Sequence, residues 1–153
     1  MKKMRAVLSA LAAASAMVLA PGVAQAATGP ITGIGGKCVD IAGANNTNGT
    51  AVQLYDCNGT GAQQWTVGAD GSLQALGKCL DVTSAGTANG TTIQLWDCNG
   101  STAQKWTANA AKNLVNTGSG KCLDATGNSS ANGTRLQIWT CAGAANQKWN
   151  VPA

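Results

Sequence analysis

The side chains that could do chemistry in this chain come in matched sets. Asp40, Gln53 and Tyr55 recur as Asp81, Gln94 and Trp96, and again as Asp124, Gln137 and Trp139. A carboxylate accepts hydrogen bonds from neighbouring hydroxyls, and such charge-assisted bonds are the stronger kind. An amide both donates and accepts. A flat aromatic ring covers an apolar face. Together these groups suit a molecule with one apolar face and a rim of hydroxyls. They are poorly suited to breaking it. Beyond residue 26 there is no His and no Glu, so a nucleophile paired with a base is hard to assemble. Hydrolysis by paired carboxylates needs two acids flanking one bond, and each set has one Asp. Asp56 and Asp97 are near in sequence, but strand alternation puts them on the side away from Tyr55 and Trp96, and Thr140 holds their place in the third set.

The sets belong to a segment written three times. It reads GKCVD…QLYDCNGTGAQQW at 36–65, GKCLD…QLWDCNGSTAQKW at 77–106 and GKCLD…QIWTCAGAANQKW at 120–149. Its cysteines step by 41 and 43 residues. A repeat of this length is one supersecondary unit that buries its core against its copies. Inside each unit the signals are for strands. Thr92 to Cys98 alternates with period two, and Lys78 to Val82 is its expected partner. Asn48-Gly49, Asn89-Gly90 and Asn132-Gly133 lie between the partners, and Asn-Gly is a strong turn signal. No stretch after residue 26 shows a helical stripe.

If the two cysteines of a repeat face each other across the hairpin, Asp40 lies opposite Tyr55, Asp81 opposite Trp96 and Asp124 opposite Trp139. Residues two apart share a face, so Gln94 joins Trp96 while Ile93 and Leu95 point into the core. Singly, Trp96 could cover the hairpin and Asp81 could cap a turn. The trio in every repeat favours binding. The second aromatic column, Trp65, Trp106 and Trp149, is expected to be core, meeting near a threefold axis. Gln63, Gln104 and Gln147 of the Q-x-W triplets are expected to bond backbone, because a buried amide needs partners.

The six cysteines pair naturally within repeats as Cys38–Cys57, Cys79–Cys98 and Cys122–Cys141, each separated by 19 residues. Identical units should make identical bridges. Zinc is the competing use, but it prefers closer pairs and a reducing compartment; no metal and no cofactor is expected. Lys2, Lys3 and Arg5, an apolar stretch from Ala6 to Ala20 and Ala24-Gln25-Ala26 together read as a signal peptide over 1–26. The apolar stretch is short for a membrane span. The expected product is a secreted single domain over 27–153, monomeric and not membrane-anchored. Past residue 26, seven cationic side chains against six aspartates leave a net charge of only +1. No basic patch supports nucleic-acid binding.

The C-[LV]-D strand, the Q-[LI]-[WY]-x-C strand and the closing Q-x-W, repeated three times, resemble the ricin B-chain type lectin family, which includes the family 13 carbohydrate-binding modules. The resemblance covers 36–149. It implies an all-β fold, the β-trefoil, with twelve strands in three pseudo-equivalent four-stranded lobes. It implies a shallow sugar pocket on each lobe, built from the Asp, the aromatic residue, an Asn just before the Q-x-W glutamine, and both glutamines. The third lobe is complete with Asp124, Gln137, Trp139, Asn146 and Gln147. The second has Asp81, Gln94, Trp96 and Gln104, with Ala103 in place of the Asn. The first has Asp40, Gln53, Tyr55 and Gln63, with Ala62 there. Asn58 and Asn99, four residues earlier, could supply the amide instead. Asn58-Gly59-Thr60 and Asn99-Gly100-Ser101 themselves read as turns.

The residues therefore point to a secreted, non-catalytic lectin for glycans, polysaccharides or glycoconjugates. A secreted protein-interaction or protease-inhibitor trefoil is the alternative. Such a module would present a distinctive loop in one repeat, and the repeats differ in length by only two residues.

Overall fold

The computed structural model describes residues 13–16 and 26–153. The expected leader therefore lies outside the described residues, save for 13–16 and Ala26. The chain enters through β1 (Thr28–Gly29). The first lobe supplies β2 (Cys38–Ile41), β3 (Val52–Tyr55) and β4 (Trp65–Val67). The second supplies β5 (Leu73–Ala75), β6 (Lys78–Val82), β7 (Ile93–Trp96) and β8 (Trp106–Ala108). The third supplies β9 (Leu114–Asn116), β10 (Cys122–Ala125) and β11 (Leu136–Trp139). No α-helix occurs among the described residues. All strand pairs are antiparallel, in sheets ordered β1-β4-β5-β6-β7, β11-β10-β9-β8 and β2-β3.

Each lobe is built on one hairpin, β2–β3, β6–β7 or β10–β11. Its strands alternate as the sequence does: Val52 and Leu54, Ile93 and Leu95, and Leu136 and Ile138 are fully buried, while Tyr55, Trp96 and Trp139 remain exposed. The last strand of one lobe pairs with the first of the next, β4 with β5 and β8 with β9. The ring closes more sparely. Of the twelve expected strands two, the first of the first lobe and the last of the third, are reduced to a single bridge between them, Asn150 to Thr32, with backbone bonds of 3.0 and 2.8 Å.

Neighbouring lobes also clasp one another in a cycle. Leu54 N–H donates to Thr134 O at 2.8 Å, Leu95 N–H to Thr50 O at 2.9 Å and Ile138 N–H to Thr91 O at 2.9 Å. Here the Asn-Gly pairs find their use. They are turns with glycine φ of 87° to 90°, where a side chain would be strained, but they are not tips of tight hairpins. Each connection first makes a 3-10 turn, and its Asn-Gly then docks on the next lobe. Asn48 Oδ1 accepts from Asp97 N–H, Asn89 Oδ1 from Thr140 N–H and Asn132 Oδ1 from Asp56 N–H, each at 2.9 Å.

The three intra-lobe disulfides form as expected, with Cα separations of 5.1 Å. Their cysteines do not face each other across the ladder, and this corrects the expected register. Cys38 lies opposite Tyr55, Cys79 opposite Trp96 and Cys122 opposite Trp139. The second strand ends at the aromatic residue, so Cys57, Cys98 and Cys141 lie beyond it and reach back. The shift is two residues, which preserves the face of every side chain. Asp40, Asp81 and Asp124 thus face Gln53, Gln94 and Gln137 rather than the rings.

The second aromatic column is core. Trp65, Trp106 and Trp149 are 0%, 5% and 2% exposed. Each indole N–H donates to the carbonyl before its lobe's Asp: Val39 O at 2.9 Å, Leu80 O at 3.1 Å and Leu123 O at 2.9 Å. The indole thereby satisfies its polar atom and braces the strand that carries the carboxylate. Gly33 lies so close to Trp149 that a Cβ there would fall 2.4 Å from the ring. The architecture, three hairpin lobes closed into a ring with one disulfide in each, is a β-trefoil.

Candidate ligand-binding site

Each lobe carries one cavity beside its Asp-bearing strand, of about 350, 400 and 410 Å³ from the first lobe to the third. These volumes sit at the small end of roughly 300–1,000 Å³ for small-molecule sites. The first is lined by Asp40, Gln53 and Tyr55, the second by Asp81, Gln94 and Trp96, and the third by Asp124, Gln137, Trp139 and Asn146. The sequence-matched sets thus converge, each on its own cavity. Only one carboxylate lines each cavity. Asp56 and Asp97 lie outside, exposed and paired with Lys37 and Lys78. Those lysines, and then Asn132 and Asn48, hold the two carboxyls below the usual range.

The carboxylates are buried but served by amides. Asp124 accepts from Gln137 at 2.9 Å, Gln147 at 2.9 Å and Asn146 at 3.1 Å. Asp40 accepts from Gln53 and Gln63, both at 3.0 Å. Asp81 accepts from Gln94 at 2.8 Å. Burial pushes the Asp81 carboxyl above its ordinary value, against the opposing pull of Gln94 and Gln104. Burial disfavours the anion, and hydrogen bonds to it oppose that shift.

The Q-x-W glutamines are buried among backbone partners. Gln63, Gln104 and Gln147 are each 1% exposed, too deep to lie on the cavity rim. Their side-chain carbonyls accept from Asn58 N–H and Asn99 N–H at 2.9 Å and from Ala142 N–H at 2.8 Å. Their amide nitrogens donate to Asp56 O, Asp97 O and Thr140 O. They therefore satisfy backbone as expected, and Gln63 and Gln147 also donate to their Asp at 3.0 and 2.9 Å. Asn146 is nearly buried. Its Nδ2 donates to Asp124 and, at 2.9 Å, to Ala125 O.

The exposed rings form one wall, with Tyr55, Trp96 and Trp139 at 41%, 39% and 42%. The Asn-Gly turn of the preceding lobe backs the two tryptophans: a Cβ on Gly49 would lie 3.9 Å from the Trp96 ring, and one on Gly90 3.8 Å from Trp139. The opposite wall is a 3-10 turn that sequence reasoning missed, at Ala42–Ala44, Thr83–Ala85 and Thr126–Asn128. Its middle residue is left-handed in each lobe, Gly43 at φ 62°, Ser84 at 53° and Gly127 at 70°. The available signal was position, since the turn begins two residues after the Asp every time. Its side chains carry no common chemistry.

A family model described as the ricin-type beta-trefoil lectin domain matches residues 27–149. A glucan endo-1,3-beta-glucosidase of Cellulosimicrobium cellulans is 47% identical over 57 residues, 37% of this chain and 10% of that protein. The chain spans about a tenth of the length of the curated relatives it matches. Among solved structures, the designed threefold-symmetric protein ThreeFoil superposes with a TM-score of 0.76 at 28% identity, over 82% of this chain and 98% of its own. A non-toxic homologue of type II ribosome-inactivating proteins from Momordica charantia, in complex with alpha-methyl-D-galactoside, gives 0.74 at 28% identity, over 84% of this chain and 48% of its own.

Proposed function

The chain belongs to the ricin-type β-trefoil lectin family, and from that premise we propose that it is an exported, non-catalytic lectin. Each lobe would hold one sugar residue, with the pyranose C–H face on Tyr55, Trp96 or Trp139 and its hydroxyls on the Asp. The observation that carries this reading is the third cavity. There an exposed ring and a carboxylate held by three amides, Asn146 among them, meet in one place. Preorganisation of this kind removes the cost of ordering the acceptor on binding. The single carboxylate per cavity supports binding over hydrolysis, which needs a pair.

Export, cleavage after Ala26 and a monomeric state are part of the proposal. Three disulfides favour an oxidising compartment. Among the described residues no helix is long and apolar enough to cross a membrane.

The test is a glycan array, followed by calorimetry with methyl α-D-galactoside and methyl β-D-xyloside. A small open site should hold a monosaccharide with Kd on the order of 1 mM, about −4 kcal/mol. Lobes acting together on a polymer should raise the apparent affinity without new contacts. Absence of binding to every arrayed glycan would overturn the lectin reading. Reducing-end release from a bound polysaccharide, lost on one Asp→Asn change, would overturn the non-catalytic part.

A further inference from the structure

The first two cavities each have an amide that the third lacks. Asn58 lines the first and Asn99 the second. The third lobe has Ala142 at that place. Conversely Asn146 lines the third, where the other two have Ala62 and Ala103. Every lobe thus has one such amide, delivered from one of two positions four residues apart.

The two positions present opposite ends of the amide. Asn58 Oδ1 accepts from the backbone N–H of Thr60 at 3.1 Å and from its hydroxyl at 2.8 Å. Asn99 Oδ1 accepts from Ser101 N–H at 3.0 Å. A backbone N–H can only donate, so the side-chain oxygen must face it and Nδ2 is turned away. Among the described residues neither Nδ2 has a hydrogen-bond acceptor. In Asn146 the reverse holds. Its Nδ2 donates to Asp124 Oδ2 and to Ala125 O, which are acceptors only. Both amide protons are committed, and Oδ1 is the end left over.

We propose that Asn58 and Asn99 are the amide ligands of the first two lobes, and that these lobes form a second class of site. They give a sugar hydroxyl an N–H donor, where the third lobe gives it an amide carbonyl. The inference rests on the lectin reading. A hydroxyl met by the donor must accept, and one met by the carbonyl must donate. Since a sugar hydroxyl can play either part, the two classes differ in the hydrogen-bond direction they impose on it.

The test isolates single lobes by removing exposed rings, which leaves the core intact. Tyr55→Ala with Trp139→Ala keeps the second lobe; Tyr55→Ala with Trp96→Ala keeps the third. Binding of methyl α-D-galactoside and methyl β-D-xyloside is followed by NMR, which reads millimolar constants. In the second-lobe protein, Asn99→Asp keeps the oxygen that Ser101 requires and deletes Nδ2. Asn99→Ser does the same without adding charge. Both should weaken binding at least fivefold at unchanged melting temperature, and the Asn99 side-chain NH2 resonances should move on titration. The third-lobe protein should be indifferent to both changes. Binding within twofold of the parent in both Asn99 variants would overturn the inference and leave the lectin reading standing. So would a second-lobe protein that binds nothing while the third-lobe protein binds. An unaltered chain that binds no glycan would overturn both.

Discussion

Trp139 and Trp149 are the same residue type, ten positions apart in one lobe, and replacing each by alanine should have opposite consequences. A tryptophan side chain offers roughly 250 Å², so 42% exposure leaves on the order of 100 Å² of Trp139 in solvent. If a sugar face covers about half of that, and loses as much apolar surface itself, about 100 Å² leaves water. At about 25 cal/mol per Å² this is about 2.5 kcal/mol, or roughly 70-fold in Kd. Trp139→Ala should therefore abolish measurable binding of a monosaccharide at the third lobe. It should change stability by only about 0.5 kcal/mol, as surface substitutions do. Trp149 is 2% exposed and donates to Leu123 O. Its removal should cost about 3–5 kcal/mol for the lost burial and the cavity left behind, and about 1 kcal/mol more for the orphaned carbonyl. For a domain of this size that is a fall of about 15–25 °C in Tm. The assays are thermal unfolding with disulfides intact, and NMR titration in a chain whose other lobes carry Tyr55→Ala and Trp96→Ala. Unchanged affinity in Trp139→Ala, or destabilisation comparable to that of Trp149→Ala, would refute the division into binding and core columns.

Binding at the second lobe should depend on pH in the acid range. Burial raises the Asp81 carboxyl above 3.8, so affinity should fall as pH drops through that raised value, followed by the Asp81 carboxyl resonance in NMR. The folded state holds this proton longer than the unfolded chain, so the Asp81 contribution to stability falls as pH rises from about 3.8 through the folded value. Ala103→Asn, by adding the donor that Asn146 gives Asp124, should move that titration down. Ser84 is left-handed at φ 53° where the other lobes have glycine. Left-handed geometry costs a residue with a Cβ about 1–2 kcal/mol, partly offset by the entropy of glycine; Ser84→Gly should stabilise by about 0.5–1 kcal/mol in denaturant unfolding. Replacing Cys79 and Cys98 together by alanine should cost about 3 kcal/mol, the loop entropy of one bridge of this span, seen as a drop of about 12 °C in Tm.

Much of this molecule was legible in one dimension because it is a repeat. Period-two alternation assigned Ile93 and Leu95 to the core and Gln94 and Trp96 to the outer face, and a slip of two residues leaves that assignment intact. The constant spacing of the cysteines selected the three bridges. The two aromatic columns were told apart by context, one alternating in a strand and the other closing a Q-x-W. The tertiary structure decided what depends on strand ends and on partners in other lobes. The Asp–Gln facing pairs follow from β3, β7 and β11 stopping at the aromatic residue, so that the second cysteine bridges from beyond the ladder. Nothing local marks that stop. The docking of Asn48 on Asp97, Asn89 on Thr140 and Asn132 on Asp56 was equally out of reach. A threefold repeat reads the same whichever neighbour a turn packs against, and the direction of the ring is set only by the handed twist of its strands. The orientation of each cavity amide also waited for three dimensions. An asparagine offers a donor and an acceptor alike, and the partners already bonded to it decide which end remains for a ligand.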